Sequence, residues 1–268
     1  MKRHIAIAAS ALALFAAACT MTAPAGPPGM GAPDYAAALA DPGRPEADRK
    51  DDEARKPAEV LAFADIRKTD RVLELEAGRG WYSEIISTAL GSTGELIVQY
   101  PPEFAYGDAA FKARTDAGRL KNTTITKSHF DTLDVAANSV DRVLWILGPH
   151  ELYYKPPNSN GLGADDKAYA EIKRVLKPGG LFIVMDHAAD KGSPTTTGQT
   201  IHRIDPSIVL SSAQSAGFLY VGKSDILANP SDETWEWDGA TATWTQRAIQ
   251  GPKPPARGAF SLAYDQTQ

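Results

Sequence analysis

Three histidines and two glutamates have residue types and positions that could act on a bound small molecule. His150 stands in the segment GPHEL, His187 in MDH, and His202 in HRID. An imidazole changes its charge near neutral pH, so each histidine could remove a proton from a hydroxyl or an amine. Glu74 and Glu76 lie in the segment VLELEAGRG, where carboxylates would attract a ligand with a positive centre and repel a pyrophosphate.

The histidines also have a structural interpretation. Asp186, His187, His202 and Asp205 could form a polar network that closes a site without reacting with a substrate. No metal is predicted, because the spacing of these residues matches no His-Glu-x-x-His pattern. His150, His187 and His202 are therefore the candidate catalytic residues.

The segment VLELEAGRGWYS, residues 72–83, is the candidate binding loop. An apolar strand runs into Gly78 and Gly80, which allow the backbone to approach a ligand, and then into a helix whose N–H groups favour negative charge. A dinucleotide fingerprint would continue to a third glycine, but Ser83 occupies that position. Glu76 stands where a further glycine would allow a tight turn. Its alternative role is to face solvent at the end of the strand.

Alternating strands and helices must position these residues. Strands are predicted at 71–76, 95–100, 123–128, 141–147 and 180–186, and helices near 81–90, 107–118 and 165–177. This alternation favours right-handed crossovers and a parallel sheet that is covered on both faces. His150 and His187 follow two of these strands, and ligands bind at the carboxyl ends of such strands.

One further segment precedes this alternation, and another lies within it. RKDDEARKPAEVLAFADI, residues 49–66, has a helical pattern of apolar residues and predicts a surface helix before the first strand. RVLKPGG, residues 174–180, predicts that a helix ends with basic residues, is stopped by Pro178, and turns through two glycines into a buried strand.

The last third of the chain has a different pattern. Asp205 is a predicted N-cap, Pro206 the first helical residue, and Gly217 follows the last turn. Strands are expected at 218–227 and 258–265, separated by a long polar loop that could cover a substrate pocket. Because no crossover helix joins them, these strands should pair antiparallel. The expected fold is α/β, with a mostly parallel seven-stranded sheet and an antiparallel C-terminal hairpin.

Composition argues against a nucleic-acid partner. The chain has 268 residues and a formal net charge of −5, with 28 Lys and Arg against 33 Asp and Glu. Nucleic-acid-binding domains usually carry a basic excess or stripe, and neither is visible in the sequence. A small-molecule substrate is the expected partner.

The N-terminal residues predict export. MKRH is basic and the run IAIAASALALFAAA is apolar, which is typical of a signal at 1–19 and too short for a transmembrane span of about 20 residues. Cys19 could carry a lipid anchor, and simple cleavage after Ala25 is the alternative. An Ala/Pro/Gly-rich tether at 20–35 and a domain at 36–268 would follow. The expected location is the periplasm or the outer membrane, with no transmembrane segment in the mature chain.

Several spaced motifs together resemble the class I S-adenosylmethionine-dependent methyltransferases. VLELEAGRG resembles their first motif, NSVDRVLWILGPHEL their fourth strand, and RVLKPGGLFIVMDH their fifth. The segments RKPAEVLAF, GRGWY, MDH, HRID and NPSD are most similar to those of bacterial exported predicted methyltransferases. The resemblance covers roughly residues 40–265. It implies a Rossmann-like three-layer αβα sandwich and bound S-adenosylmethionine, but no particular substrate.

The same resemblance implies roles for individual residues. Glu74 matches the acidic residue of the first motif at the methionine end of the cofactor, and Gly78 and Gly80 match its later glycines. Gln99 takes the place of the usual acid that binds the ribose hydroxyls, and an amide can still bond them. His129 or Asp131 would meet the adenine amine, and Trp81 and Tyr82 would either pack in the core or face the sulfonium.

Two other functions remain open at this stage. A non-catalytic envelope protein could keep the fold to bind another ligand, because S-adenosylmethionine is made in the cytosol and the glycine loop and ribose acid are altered. A nicotinamide-dependent oxidoreductase would share the fold, but the third glycine is missing.

Overall fold

A single mixed sheet forms the centre of the protein. The computed structural model describes residues 31–229 and the strands at 235–238, 243–246 and 259–265. Seven strands are hydrogen-bonded in the order β3-β2-β1-β4-β5-β9-β6. The strands of this sheet are β1 (Arg71–Leu75), β2 (Glu95–Tyr100), β3 (Thr123–Lys127), β4 (Val140–Ile146), β5 (Leu176–His187), β6 (Leu219–Ser224) and β9 (Ala259–Asp265).

The pairing of the strands confirms the predicted architecture. Strands β1 to β5 pair in parallel, whereas β9 lies between β5 and β6 and is antiparallel to both. The chain runs outward from β1 to β3 and then returns to β4 on the other side of β1. The direction of strand order therefore reverses between β1 and β4, and this is where such sheets bind ligands.

Helices flank the sheet, as predicted. The α-helices are α1 (Tyr35–Leu39), α2 (Glu46–Arg49), α3 (Asp52–Arg55), α4 (Pro57–Phe63), α5 (Trp81–Leu90), α6 (Asp108–Asp116), α7 (Asp165–Val175), α8 (Thr197–Ile201) and α9 (Pro206–Ser215). Two 3₁₀ segments lie at Pro102–Gly107 and Pro149–Tyr153. No helix in the described part of the chain is long and apolar enough to cross a bilayer.

The central strands are buried on both faces, as a covered parallel sheet requires. Val72, Leu73 and Val143 have no more than a trace of exposed surface. Trp145 on β4 packs with its ring centroid 4.7 Å from Phe130 and 6.2 Å from Tyr169 of α7. This aromatic layer fixes the end of β4, from which the candidate histidine segment continues.

Two of the predicted boundaries are wrong. The single helix expected at 49–66 is broken, because Lys56 adopts a left-handed φ of 43° and Pro57 starts α4. Helix α7 ends at Val175, and Leu176 already has extended geometry, so the glycine pair does not cap the helix. Gly180 lies within β5, where a Cβ atom would be 3.1 Å from the Asp141 carbonyl oxygen. It therefore permits close approach of β4.

The structure confirms most of the pattern that was predicted for the C-terminal third. Asp205 caps α9 by accepting the Ser207 N–H at 2.8 Å, Pro206 begins the helix, and Gly217 follows it at a φ of 85°. The segment expected to be a plain polar loop contains an antiparallel hairpin, β7 (Trp235–Asp238) and β8 (Thr243–Gln246).

Several predictions fall outside the described residues. These are the export signal at 1–19, the lipid anchor at Cys19, the cleavage site at Ala25, residues 20–30 of the tether, and the remainder of the polar loop. Of the predicted tether, Gly31 accepts a hydrogen bond from the Lys68 N–H at 3.2 Å, and Tyr35 is buried at the start of α1.

Candidate active site

The loops after β1 and β4 meet at the reversal of strand order. Glu76 follows β1 and Gly148 follows β4. A Cβ atom on Gly148 would lie 2.7 Å from Glu76 Oε2 and would overlap the Trp145 indole. Only glycine therefore lets these two loops approach, and their contact brings the glycine loop beside the histidine segment.

Every second residue in the glycine loop has a left-handed backbone conformation. Glu76, Gly78 and Gly80 have φ values of 52°, 56° and 80°. The left-handed conformation costs a non-glycine residue about 1–2 kcal/mol, so Glu76 carries strain that a glycine would avoid. A Cβ atom on Gly80 would also lie 2.9 Å from the Phe111 ring. The loop singled out in the sequence adopts this turn, and backbone strain at a non-glycine position is a common feature of functional sites.

Glu74 lies beneath the loop and is fully buried. It is 2% exposed, and its Oε2 accepts a 2.6 Å hydrogen bond from the Ser83 hydroxyl on α5. Burial raises the pKa of Glu74 to about 8, although the Ser83 hydrogen bond and the charge of Arg114 oppose that shift. The hydrogen bond between Glu74 and Ser83 links β1 to α5. The predicted contact of Glu74 with a cofactor stays a prediction.

Glu76 turns its carboxylate inward and does not simply face solvent. Its Oε2 atom is buried and has no hydrogen-bond partner among the residues that the structure describes. Burial and the neighbouring Glu151 carboxylate raise the pKa of Glu76 well above its usual value, while His150 lowers it. A positively charged group beside this carboxylate would relieve both the burial and the repulsion.

The residues predicted to contact the ribose and the adenine form hydrogen bonds within the protein. Gln99 is completely buried, accepts the Glu76 N–H at 3.2 Å, and donates to the Ser128 carbonyl at 2.5 Å. Asp131 accepts the Ala164 N–H at 3.0 Å. A cofactor would have to exchange some of these bonds, so both roles stay predictions.

His150 and His202 come together with two acids. His150 Nδ1 lies 2.7 Å from Asp186 Oδ1, and the His150 backbone N–H donates to Asp186 Oδ2 at 2.8 Å. On the other side of the ring, His150 Nε2 lies 3.2 Å from His202 Nδ1 and 3.3 Å from Glu151 Oε1. His202 Nδ1 is 3.4 Å from the same Glu151 oxygen.

The acids determine the charge of this group. Burial disfavours the charged form of His150, but Asp186 and Glu151 outweigh burial and raise its pKa well above the usual value. Burial likewise opposes ionisation of Glu151, but hydrogen bonds and charge from the two histidines lower its pKa to about 2. In the free protein His150 is therefore suited to donate a proton or carry positive charge, and less suited to act as a base.

Local structure explains why these side chains converge. His150 and Glu151 belong to the 3₁₀ turn at Pro149–Tyr153, which is where β4 gives way to irregular backbone. His202 ends α8 in a left-handed conformation with a φ of 48°. A Cβ atom on Gly198 would lie 2.5 Å from the His150 carbonyl oxygen, so this glycine allows α8 to pack against the turn.

The other residues singled out in the sequence lie elsewhere. His187 follows Asp186 on β5, and because side chains alternate along a strand it projects to the opposite face from that acid. Asp205 caps α9 and also accepts the Gly192 N–H at 2.6 Å, as a structural residue would. Trp81 and Tyr82 are buried, and their polar atoms donate to backbone carbonyls of the N-terminal helical segment.

Sequence reasoning missed Glu151. Its signal was the adjacent His-Glu pair in GPHEL, but a single carboxylate beside a histidine is common in sequences. The sequence predicts Asp186 only as part of a structural network, whereas in the structure its carboxylate binds both the ring and the backbone N–H of His150.

Known proteins support the fold. No family model matches the chain. It is 28% identical over 121 residues to a ubiquinone/menaquinone biosynthesis C-methyltransferase from Haemophilus ducreyi, covering 45% of this chain and 42% of the relative. The chain thus spans under half the length of that relative.

Solved structures give the same result. A SAM-dependent methyltransferase from Aquifex aeolicus matches with a TM-score of 0.55 and 19% identity, over 86% of this chain and 97% of that one. A phosphoethanolamine N-methyltransferase 2 from Haemonchus contortus in complex with S-adenosyl-L-methionine matches with a TM-score of 0.54 and 12% identity, over 80% and 53%. The protein has the Rossmann-like class I methyltransferase fold.

Proposed function

We propose that the protein is an S-adenosylmethionine-dependent methyltransferase that acts on an oxygen or nitrogen atom of a small molecule in the cell envelope. The observation that carries this proposal is the contact between two loops at the reversal of strand order. A glycine loop lies on one side and a histidine–carboxylate group on the other. The first suits a cofactor and the second an acid–base role toward a substrate.

The residues of the glycine loop fit a cationic cofactor. Gly78 is open on its Cβ side, so a ligand can approach its backbone closely. The buried and unpartnered Glu76 oxygen would face the positive sulfonium or the amino group of the methionine end. Bound S-adenosylmethionine would supply an electrophilic methyl group, and methyl transfer needs chiefly in-line positioning of the attacking atom.

The histidine group would position the nucleophile. Asp186 fixes the His150 ring from one side, which leaves Nε2 directed toward His202 and Glu151. Because the pKa of His150 is raised, it would hold a proton and hydrogen-bond an electronegative atom of the substrate. Removal of a proton from the substrate would then fall to His202, because the low pKa of Glu151 makes its carboxylate a weak base.

Separate titrations with S-adenosylmethionine and NAD test the cofactor. The purified chain should release or absorb heat with the first ligand and not with the second, and only the first should raise its melting temperature. The Glu76→Gln variant should bind the cation about tenfold more weakly, which corresponds to about 1.4 kcal/mol. Glu46→Gln is the control, because that side chain is 88% exposed and lies on α2.

The second candidate function is a non-catalytic envelope protein that binds another ligand. The internal hydrogen bonds of Gln99 favour it, since the residue expected to hold the ribose is already satisfied. If neither ligand gives heat or a thermal shift, methyl transfer is refuted and this second function is supported.

The envelope location rests on the N-terminal sequence. A basic start, a short apolar run and Cys19 are typical of an exported lipoprotein. Radiolabelled palmitate should enter the wild-type protein and not the Cys19→Ser variant, and globomycin should block processing. Label-free protein in the periplasm would favour cleavage after Ala25, and protein that stays in the cytosol would refute export.

A further inference from the structure

Three potential metal ligands converge beside β4. His150 Nε2, His202 Nδ1 and Glu151 Oε1 are separated from one another by 3.2, 3.3 and 3.4 Å. We propose that His150, Glu151 and His202 form a binding site for one divalent transition-metal ion. This assignment does not depend on the proposed methyl transfer, but His150 Nε2 bound to an ion could not also hydrogen-bond a substrate, so the substrate contact of His150 belongs to the metal-free protein.

The spacing of the three atoms matches metal coordination. Bonds from nitrogen or carboxylate oxygen to zinc are about 2.0–2.2 Å long. With bonds of about 2.1 Å, the three observed separations correspond to ligand–metal–ligand angles of roughly 100–110°, close to a tetrahedral arrangement. One ion can therefore contact all three atoms without movement of the backbone.

Asp186 supplies the outer support that such sites require. Its Oδ1 atom binds His150 Nδ1 at 2.7 Å, and its Oδ2 atom accepts the backbone N–H of the same residue at 2.8 Å. With its proton on Nδ1, the neutral His150 ring presents the lone pair of Nε2 to the ion. A carboxylate–histidine–metal arrangement of this kind orients the ring and strengthens the ligand.

The surrounding charge also favours a cation. Glu76, Glu151 and Asp186 place three carboxyl groups around two imidazoles in a mostly buried region. Within the described part of the chain, the Oε2 atoms of Glu76 and Glu151 are buried without hydrogen-bond partners. Buried and unsatisfied oxygens are costly, and a bound cation would lower that cost.

The ligand set indicates the class of metal. Two imidazoles and one carboxylate suit Zn²⁺ and first-row ions such as Fe²⁺ and Co²⁺, and they suit Ca²⁺ poorly. Three protein ligands leave at least one open position, as in catalytic zinc sites. A water molecule or an oxygen atom of a substrate could occupy that position, next to the loop that carries Glu76.

Direct metal binding tests the proposal. The untagged full chain, stripped with a chelator, would be titrated with Zn²⁺ by calorimetry and with Co²⁺ by visible absorption. One equivalent should bind, and the Co²⁺ spectrum should show low-coordinate nitrogen and oxygen ligation. The Asp186→Asn variant should bind about 10- to 100-fold more weakly, and His202→Gln and Glu151→Gln should lose more affinity than that.

Controls separate ligand loss from misfolding. His129→Gln removes an imidazole that pairs with Glu103 outside the cluster, so it should bind Zn²⁺ like the wild type. Each variant would also be melted in chelator, because a folded variant without affinity has lost a ligand. His202 is the most informative position, since its side chain is the most exposed of the three and its loss disturbs the core least.

Two results would overturn the site. One is a wild-type protein that binds neither Zn²⁺ nor Co²⁺ at one equivalent. The other is a His202→Gln variant that binds as tightly as the wild type, which would place the ion elsewhere. Neither result bears on the titration with S-adenosylmethionine, so failure of the metal site and failure of the methyltransferase proposal are distinguishable.

Discussion

Replacement of Glu74 by glutamine tests what burial does to the carboxyl group under the glycine loop. Burial raises the pKa of Glu74 from an ordinary value of 4.5 to about 8, so the folded protein prefers the protonated form. The contribution of this group to stability is therefore fully present below pH 4.5. It is lost as the pH rises through 8, because the unfolded chain ionises freely and the folded one does not.

The size of the effect follows from the shift. Each pKa unit corresponds to about 1.4 kcal/mol, so the full loss is ~5 kcal/mol at high pH, of which ~3–4 kcal/mol falls between pH 5 and pH 8. Glutamine has nearly the same shape and can still accept the Ser83 hydrogen bond, but it does not ionise. The free energy of unfolding of Glu74→Gln minus that of the wild type should thus rise by ~3–4 kcal/mol over this range.

Urea unfolding followed by circular dichroism would measure this difference at intervals of half a pH unit. All other titrating groups are common to both proteins, so they cancel to first order in the difference. Glu46→Gln removes an exposed carboxyl group from α2 and reports the effect of one lost surface charge. A difference that stays flat from pH 5 to pH 8, or that falls, would show that Glu74 is not held protonated by burial.

Substitutions at three further residues test local geometry. Gly80→Ala places a Cβ atom 2.9 Å from the Phe111 ring at a positive φ, and should destabilise the fold by about 2–4 kcal/mol in urea unfolding. Gly78→Ala, which meets no neighbouring atom, should cost only about 1–2 kcal/mol, and equal losses would contradict the packing argument. Asp205→Ala removes the cap that accepts the Ser207 N–H and should lower the free energy of unfolding by about 1 kcal/mol. Asp205→Asn keeps one acceptor for the Ser207 N–H but turns an NH2 group toward the Gly192 N–H, so it should recover only part of that loss.

Local pattern was sufficient for most of the fold. Strands were recognised as short segments rich in apolar residues, and the segments predicted at 71–76 and 95–100 match β1 and β2 to within one residue. The break at Lys56 was not predicted, although Pro57 marks it, because a proline disfavours helical geometry in the residue before it and is common at the first position of a helix. The hairpin of β7 and β8 was not predicted, although Trp-Glu-Trp-Asp alternates aromatic and polar residues, because each strand has only four residues within a polar segment.

The candidate site was predicted only in part. The glycine loop and two of the three histidines were recognised from residue type and from their places after strands. The sequence predicts His150 as a base. The structure instead indicates that it carries a proton and donates a hydrogen bond, because Asp186 and Glu151 pack against it and raise its pKa. Charge state depends on distance and burial, and neither can be obtained from the identity of a residue alone.

The sequence by itself determined the order of strands and helices, the antiparallel C-terminal strand pair and the position of the glycine loop. These features depend on short-range periodicity and on turn residues, which act over a few neighbours in the chain. Only the tertiary structure decided that His202 meets His150 across 52 residues, and that Glu76 points into the protein. Such contacts arise where separate loops pack together, and that packing is a property of the whole fold.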